Sequence, residues 1–324
     1  MDFRLAALQR WLGAHFRGPA FTLAPASEDA SFRRYWRVSF ADGQSFVAMD
    51  APPEKENCGP FVSIAGLFAA AGVHVPRIHA QNLHEGFLLL EDLGDTTYLE
   101  FLRAHDPEAA YAAATDALIR IQLASRPGVL PDYDRALLER ELRLFPDWYL
   151  ARELRRELAP QDSRALEGAF EALLANNLAQ PQVFVHRDYH SRNLMACEPL
   201  PGILDFQDAV YGPISYDLVS LLRDAYVRWD EARVLDWVVR YWEKARKAGL
   251  PVRADFAEFY RDFEWMGAQR QLKVVGIFSR LCHRDGKQRY LADIPRVLEY
   301  LHATCRRYSE LAPLARLLDT LAPA

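Results

Sequence analysis

The sequence predicts an α+β chain of two lobes: a small, antiparallel, β-rich lobe over residues 1–93 and a larger, mainly helical lobe over residues 94–324. Three observations carry this. Short runs rich in β-branched and aromatic residues fill the first part of the chain. After Gly94 helical spacing dominates almost to the end. The exception is residues 182–208, where two brief apolar runs, "VFV" and "GILDF", each lead into polar residues.

In chain order, residues 1–16 read as an amphipathic helix with Phe3, Leu5, Leu8, Leu12 and Phe16 near one face. "FTLAP", "RRYWRVSF" and "QSFVAMD" then read as strands, and Asp42-Gly43 between the last two is a hairpin signal. A Pro-Pro break precedes a helix at 57–72, and strands return at "PRIHAQN" and "GFLLLED". "PEAAYAAATDALIRIQLAS", residues 107–125, combines high helix propensity with a proline at its start. Helical patterns continue over 134–158, 162–178 and 215–324, the last broken near Gly249-Leu250-Pro251 and Arg284-Asp285-Gly286. No internal repeat or low-complexity linker interrupts them. Two lobes of this kind leave a cleft between them, a favoured place for a ligand.

Composition narrows the function. A net charge of −5 is too mild for a dedicated nucleic-acid or membrane binder. The four cysteines are scattered without a CxxC pair, which fits a reducing compartment and argues against a zinc site or a disulfide framework. No apolar run reaches membrane-span length, and the N-terminus alternates charge with apolar residues. The expectation is a cytoplasmic globular protein, a monomer, acting on a small molecule.

The stretch "FVHRDYHSRNLM", residues 183–194, carries the chemistry. Polar residues clustered at the end of a buried strand cost desolvation energy unless they are paired or liganded. Four residues separate Asp188 from Asn193, and Asp205 follows Asn193 by twelve. Phosphoryl transfer uses this order: a carboxylate that orients the attacking hydroxyl and takes its proton, then two hard oxygen ligands for Mg²⁺. Asp188 is assigned the first role, Asn193 and Asp205 the second. A loop with Asp188 and Asn193, opposite a hairpin strand ending in Asp205, would bring all three to one mouth. A His-Asp-His metal site at "HRDYH" is the weaker reading, since no further cluster completes it, and His186 alone reads as structural.

"HRDYHSRNL" followed by "GILDFQDAVYGPISYDLVSLL" resembles the aminoglycoside phosphotransferase and choline kinase group, relatives of the protein kinases. The resemblance covers nearly the whole chain. It implies a protein-kinase-like two-lobed fold with nucleotide binding in residues 1–93, catalysis and substrate binding in 94–324, ATP with Mg²⁺, and Asp217 as a brace for the catalytic loop. "SEDASFRRYWRV", "VAMDAPPE", "FLLLEDLGD" and "GAQRQLKVVGIFSRLCHRDGKQRYL" look more narrowly like the bacterial anomeric kinases of N-acetylmuramate and N-acetylglucosamine in peptidoglycan recycling. That likeness implies a sugar 1-phosphate product. The alternatives are a kinase for another small hydroxylated compound, such as an aminoglycoside or choline, and a nucleotide-binding pseudokinase.

Two departures stand out. Kinases usually cover the ATP phosphates with a glycine-rich turn, but residues 26–34 read "ASEDASFRR" without a glycine. The backbone of Ala30, Ser31 and Phe32, with the Ser31 hydroxyl and the charge of Arg33 or Arg34, is the replacement expected. The strand "FVAMD" also places Asp50 where the phosphate-pairing lysine belongs, and a carboxylate there would repel phosphates. The helix at 57–72 offers no interior Glu for the usual ion pair. Asp50 is therefore expected outside the phosphate site, since "DAPPE" turns the chain away.

At the junction "LLLEDLG", backbone groups of Glu91 and Leu93 are the expected adenine contacts, with Met49 and Leu90 packing against the ring. Residues 264–289 hold six Lys/Arg against two acids, which suits an anionic acceptor such as the lactyl carboxylate of N-acetylmuramate. Gln269, Arg270 and Lys273 are the substrate candidates there, with Gln269 and Lys273 sharing a helix face. Arg192 in the loop, and Phe145 and Trp148 as stacking platforms, complete the candidate set, although core packing is the plainer use of both aromatics.

Overall fold

The structure is a computed structural model that describes residues 2–18, 20–27 and 32–321; the candidates Ala30 and Ser31 lie outside the described residues. In chain order the elements are α1 (Phe3–Phe16), β1 (Phe21–Ser27), β2 (Arg34–Phe40), β3 (Ser45–Asp50), α2 (Gly59–Ala70), β4 (Ile78–Asn82) and β5 (Phe87–Glu91). Then follow α3 (Tyr98–Phe101), α4 (Glu108–Leu123), α5 (Arg135–Leu144), a π-helical segment (Phe145–Glu153) and α6 (Pro160–Leu178). β6 (Gln182–Val185), β7 (Leu194–Met195), β8 (Gly202–Ile203) and β9 (Val210–Pro213) lead to α7 (Tyr216–Leu222), α8 (Glu231–Lys247), α9 (Phe256–Asp285), α10 (Ile294–Arg307) and α11 (Ala312–Leu321). They pack into two units, residues 1–97 with 194–208, and residues 98–193 with 209–324. The first unit thus runs past the expected boundary at residue 93 and takes back fifteen residues of the expected second lobe.

In the first unit Asp2 accepts from the backbone N–H groups of Arg4 and Leu5 and so caps α1. The five strands form one antiparallel sheet in the order β1-β2-β3-β5-β4. Alternation along the strands sends Val38, Ala48, Phe87 and Leu89 to the face that α1 covers with Leu8 and Leu12, one turn apart. Phe3, expected on that face, stays in solvent at 82% exposure because it lies in the first turn. β7 and β8 pair as a short hairpin, bridged to the rest of the unit through Thr97–Met195 and His74–Gly202. Phe206 packs its ring on Phe61 and Phe68 of α2, with centroids 4.8 and 6.0 Å away. Gly202 is required there, since a Cβ would fall 2.7 Å from the Cys197 sulfur and 2.8 Å from Leu93 Cδ1.

Asp50 ends β3 fully buried. It accepts from Arg4 Nε at 3.0 Å and from Arg34 Nε and Nη2 at 3.1 and 2.6 Å. Its charge is thus spent inside the unit on two arginines. Asp50→Ala is expected to lower unfolding stability by about 1–3 kcal/mol, less than a fully buried pair would lose because both arginines keep a third of their surface in water. ATP affinity should hardly change. Denaturant midpoints and nucleotide titration check both, and a variant of unaltered stability would refute the role.

In the second unit α9 is the central helix, packed by α5, α6, α7, α10 and the π-helical segment. Asp255 caps its start by accepting from Glu258 N, and Gly286 ends it with φ 70°. Gly276 lets α9 approach the end of α5, where a Cβ would meet the Leu144 carbonyl at 2.4 Å. The pattern expected as one helix over 134–158 is therefore α5 followed by the wider π turn at Phe145. β6 and β9 pair antiparallel and deliver the chain into residues 186–193.

Candidate active site

The catalytic stretch is a loop braced from below. Asp217, buried in the first turn of α7, accepts from the backbone N–H of His186 at 2.6 Å and of Arg187 at 3.0 Å. Burial pushes its carboxyl up to about 7 against the pull of those two bonds. Asp224, also buried, accepts from Ser191 N at 2.9 Å and Tyr226 N at 2.8 Å. Arg187 takes the left-handed backbone, φ 78°, which turns the chain so that Asp188 follows. Asn193 then donates its side-chain N–H to the Asp188 carbonyl at 3.0 Å. The nitrogen of the amide is thereby engaged, and the oxygen is the end that a hard cation takes.

Around Asp188 the charges are arranged by α9 and α5. Burial alone would raise its pKa, but Lys273, then His190, Arg270 and Arg187, outweigh it and hold the carboxyl at about 2. Lys273 is itself fixed, 2.9 Å from Glu141 and donating to the Tyr216 hydroxyl at 2.8 Å. Arg187 donates to the same Glu141 at 2.5 Å, and Tyr133 donates to it as well. Glu141 stays ionised below the usual range: burial would raise it, and Lys273 and Arg187 prevail. Arg270 is 5% exposed, and its Nε has no hydrogen-bond partner among the described residues. His190 Nδ1 is in the same condition, its ring edge-on to Tyr226. Burial lowers the His190 pKa against the opposing pull of Asp224 and Asp188.

The first unit holds a second cluster. Asp205 follows β8 in the left-handed region, φ 62°, which Asp tolerates better than most residues. Gln207 donates to its Oδ1 at 2.8 Å, and Arg33 Nη1 lies 3.9 Å from the same oxygen. Arg33 Nε lies 3.4 Å from Glu56 Oε2, and Phe32 N donates to Glu56 Oε1 at 3.4 Å. Phe32 itself is exposed beneath the Lys55 ammonium. At the junction, Met49, Leu90 and Leu93 are buried, while the Glu91 backbone N–H donates to the Arg77 carbonyl at 2.8 Å. The Glu91 N–H is thereby engaged within the sheet.

Several candidates are placed otherwise than the spacing suggested. Arg34 is bound by Asp50 and Asp2, so it supplies no charge to phosphates. Gln269 is fully buried and donates to the Leu138 carbonyl at 2.9 Å. It does share a face with Lys273, but that face looks at α5, and Lys273 is committed to Glu141. Phe145 is fully buried and packs on Tyr149. Trp148 is half-buried and lines a shallow pocket of about 510 Å³ with Pro146, Asp147, Ala151 and Arg152, none of them in the catalytic loop. Arg192 lies over the rings of Tyr226 and Tyr290. Glu141, Asp224 and Glu56 carry no signal in the sequence, because an isolated acid has no telling spacing, and His190 stood there only in the weaker metal reading of "HRDYH". Among the described residues the one cluster with metal-ligand geometry is Glu153, Cys282 and His283, not "HRDYH".

Comparison with known proteins places this arrangement. The model of the phosphotransferase enzyme family matches residues 22–259. An N-acetylmuramate/N-acetylglucosamine kinase of Pseudomonas aeruginosa is 54% identical over 94% of this chain and 89% of its own. One from Pseudomonas putida is 50% identical over 99% and 97%. Among solved structures, a choline/ethanolamine kinase family protein from Mesorhizobium loti aligns with a TM-score of 0.65 over 98% of this chain and all of its own, at 14% identity, and so shares the fold. With the braced loop, the Asp188–Asn193 pair and the match over most of its length, the chain belongs to the phosphotransferase enzyme family.

Proposed function

We propose that this protein is an ATP-dependent kinase that phosphorylates the anomeric hydroxyl of N-acetylmuramate and N-acetylglucosamine, giving the sugar 1-phosphate for cell-wall recycling in the cytoplasm. The observation that carries the choice of sugar is the kinship to kinases named for these two substrates, at 50% identity or more over nearly the whole chain. The surroundings of Asp188 support the chemistry. A carboxyl held at about 2 is a weak base but a permanent acceptor, so it orients the hydroxyl and receives its proton late. An anomeric hydroxyl, more acidic than an ordinary alcohol, asks no more. Positioning and electrostatics then supply most of the rate.

Asn193 and Asp205 are assigned to Mg²⁺ on their chemistry, an amide oxygen and a carboxylate both being hard ligands. Bound there, the ion would offset the charge of the phosphate oxygens. For ATP, the Glu91 carbonyl and the Leu93 backbone are assigned to the adenine edge, Met49 and Leu90 to its face, and the segment from Ala30 to Arg33 to the phosphates. Arg270, a buried cation beside Asp188 with an unpartnered Nε, is assigned to the lactyl carboxylate.

The product decides it. Phosphorus of a sugar 1-phosphate couples to the anomeric proton in NMR, and the sugar loses its reducing end. A 6-phosphate would couple to the exocyclic methylene and sink the anomeric reading. In the same assay Arg270→Ala should lower kcat/KM for N-acetylmuramate roughly tenfold or more, with N-acetylglucosamine much less affected, as loss of one charged hydrogen bond implies. Equal losses on both sugars would remove Arg270 from the carboxylate.

A further inference from the structure

We infer that Glu153, Cys282 and His283 hold a divalent cation of the zinc class, which ties the end of the π-helical segment to the last turn of α9. None of the three belongs to the residues assigned to nucleotide, Mg²⁺ or sugar. Each brings one ligand atom, and these atoms lie within 4.8 Å of one another. His283 Nε2 and Glu153 Oε2 already meet at 2.6 Å, although the two residues stand 130 positions apart along the chain. No spacing in the sequence could announce such a site.

The donor set selects the ion. A thiolate, an imidazole and a carboxylate are the ligand types that Zn²⁺ takes, at about 2.0–2.3 Å, whereas Mg²⁺ and Ca²⁺ prefer oxygen alone. Cys282 is a free cysteine. On binding, its thiol gives a proton to water, His283 offers the lone pair of one ring nitrogen, and Glu153 offers one oxygen. One thiolate and one carboxylate then balance the two charges of the ion. Ligands at these bond lengths sit about 3.3–3.8 Å apart on a tetrahedral ion. The hydrogen bond between His283 and Glu153 therefore opens by about 1 Å as the ion enters. Three protein ligands leave the fourth position to water or a small anion.

Local structure prepares both sides. Gly286 N donates to the Cys282 carbonyl and Lys287 N to the Leu281 carbonyl, each at 3.0 Å, so the last turn of α9 is pinned. A helix C-terminus carries partial negative charge, which favours a cation beside it. Arg284, next in sequence, is held by Asp285 at 2.7 and 2.8 Å. The π-helical segment packs along α9, and Leu154 N donates to the Tyr149 carbonyl at 2.9 Å, closing the wide turn at Glu153. Residues 154–159 then form neither helix nor strand, so an ion at Glu153 fastens the point where regular structure ends. The side chains of Glu153 and His283 are 27% and 35% exposed, which lets an ion enter from solvent.

The test is metal binding by the untagged full chain with its thiols kept reduced, and it needs neither nucleotide nor sugar. Co²⁺ is the spectroscopic probe and Zn²⁺ the competitor. Wild type should take up one equivalent of Co²⁺ with a dissociation constant of about 10 µM or tighter, and show a thiolate-to-metal charge-transfer band. Zn²⁺ should remove the band, and excess Mg²⁺ should not. Cys282→Ser should abolish the band, whereas Cys197→Ser should keep it. His283→Gln and Glu153→Gln should each weaken binding by at least the roughly 10–100-fold that even an outer partner of a ligand is worth. Far-UV circular dichroism, unchanged in these variants, separates a lost ligand from a lost fold. A wild-type chain without the band, or half-saturated only at higher Co²⁺, would overturn the site, as would a band that survives Cys282→Ser. Bound Zn²⁺ should also slow amide exchange at Leu154 and Arg156, whose N–H groups donate to the Tyr149 and Leu150 carbonyls. Exchange there unaltered by bound Zn²⁺ would refute the clamp.

Discussion

Asp188→Asn is expected to lower turnover by roughly 10²–10⁴-fold, the range that a positioned acid–base group contributes, with nucleotide affinity intact. The substitution spares the loop. Its main-chain bonds, Asn193 to the Asp188 carbonyl and Asp188 N to His186 Nδ1 at 3.3 Å, do not involve the carboxylate. What disappears is the negative charge that Lys273, His190, Arg270 and Arg187 face, and with it the acceptor for the sugar proton. Steady-state kinetics on both sugars, beside a nucleotide titration, check this. Turnover near that of wild type would take Asp188 out of the chemistry. The pH dependence has a sign as well. Because the carboxyl is held at about 2, it stays ionised throughout the working range, so no acid limb near pH 4 in the wild-type profile can belong to it. A limb at that pH which vanishes in Asp188→Asn would contradict the lowered pKa.

Asp205→Asn should cut turnover at least as steeply, by roughly two orders of magnitude or more, since a metal clamp on transferring phosphate is worth several kcal/mol. Asn also accepts the left-handed backbone at φ 62°, so the variant keeps the turn and loses only the charge. Unlike Asp188→Asn, it should weaken Mg²⁺-dependent ATP binding as well as catalysis. Mg²⁺ titrated at fixed ATP is the measurement. An unchanged metal requirement would remove Asp205 from the ligand set, even if activity fell.

Much of the fold was legible because it rests on local chemistry. The turn at Asp42-Gly43, with Gly43 at φ 88°, sits between β2 and β3 as its residues demand. The helix expected at 57–72 is α2, and the breaks near 249–251 and 284–286 separate α8 from α9 and end α9. The proposed loop motif of Asp188, Asn193 and Asp205 rests on residue type and spacing alone. Less was legible of the groups that serve the loop. Asp224 and Glu141 reach it from 33 and 46 residues away along the chain, and no periodicity announces such pairs.

The sequence by itself thus determined the two-part α+β architecture, the order of its strands and helices along the chain and the anomaly at Asp50, and it carries the proposal of Asp188, Asn193 and Asp205, because each depends on neighbours a few residues apart. The tertiary structure decided which charges are spent and which serve. Over residues 264–289 the six cations read as a basic segment suited to an anionic acceptor, yet α9 runs through the core and buries Arg270 and Lys273 at 5% and 6% exposure. Lys273 became a fixed counter-charge because α5 brings Glu141 within 2.9 Å, and Arg34 was lost to phosphate because β2 pairs it with Asp50. Arg33, its neighbour, points to Glu56 and Asp205 instead. Which partner a charge meets is set by the elements that pack against it, through contacts that lie far apart along the chain.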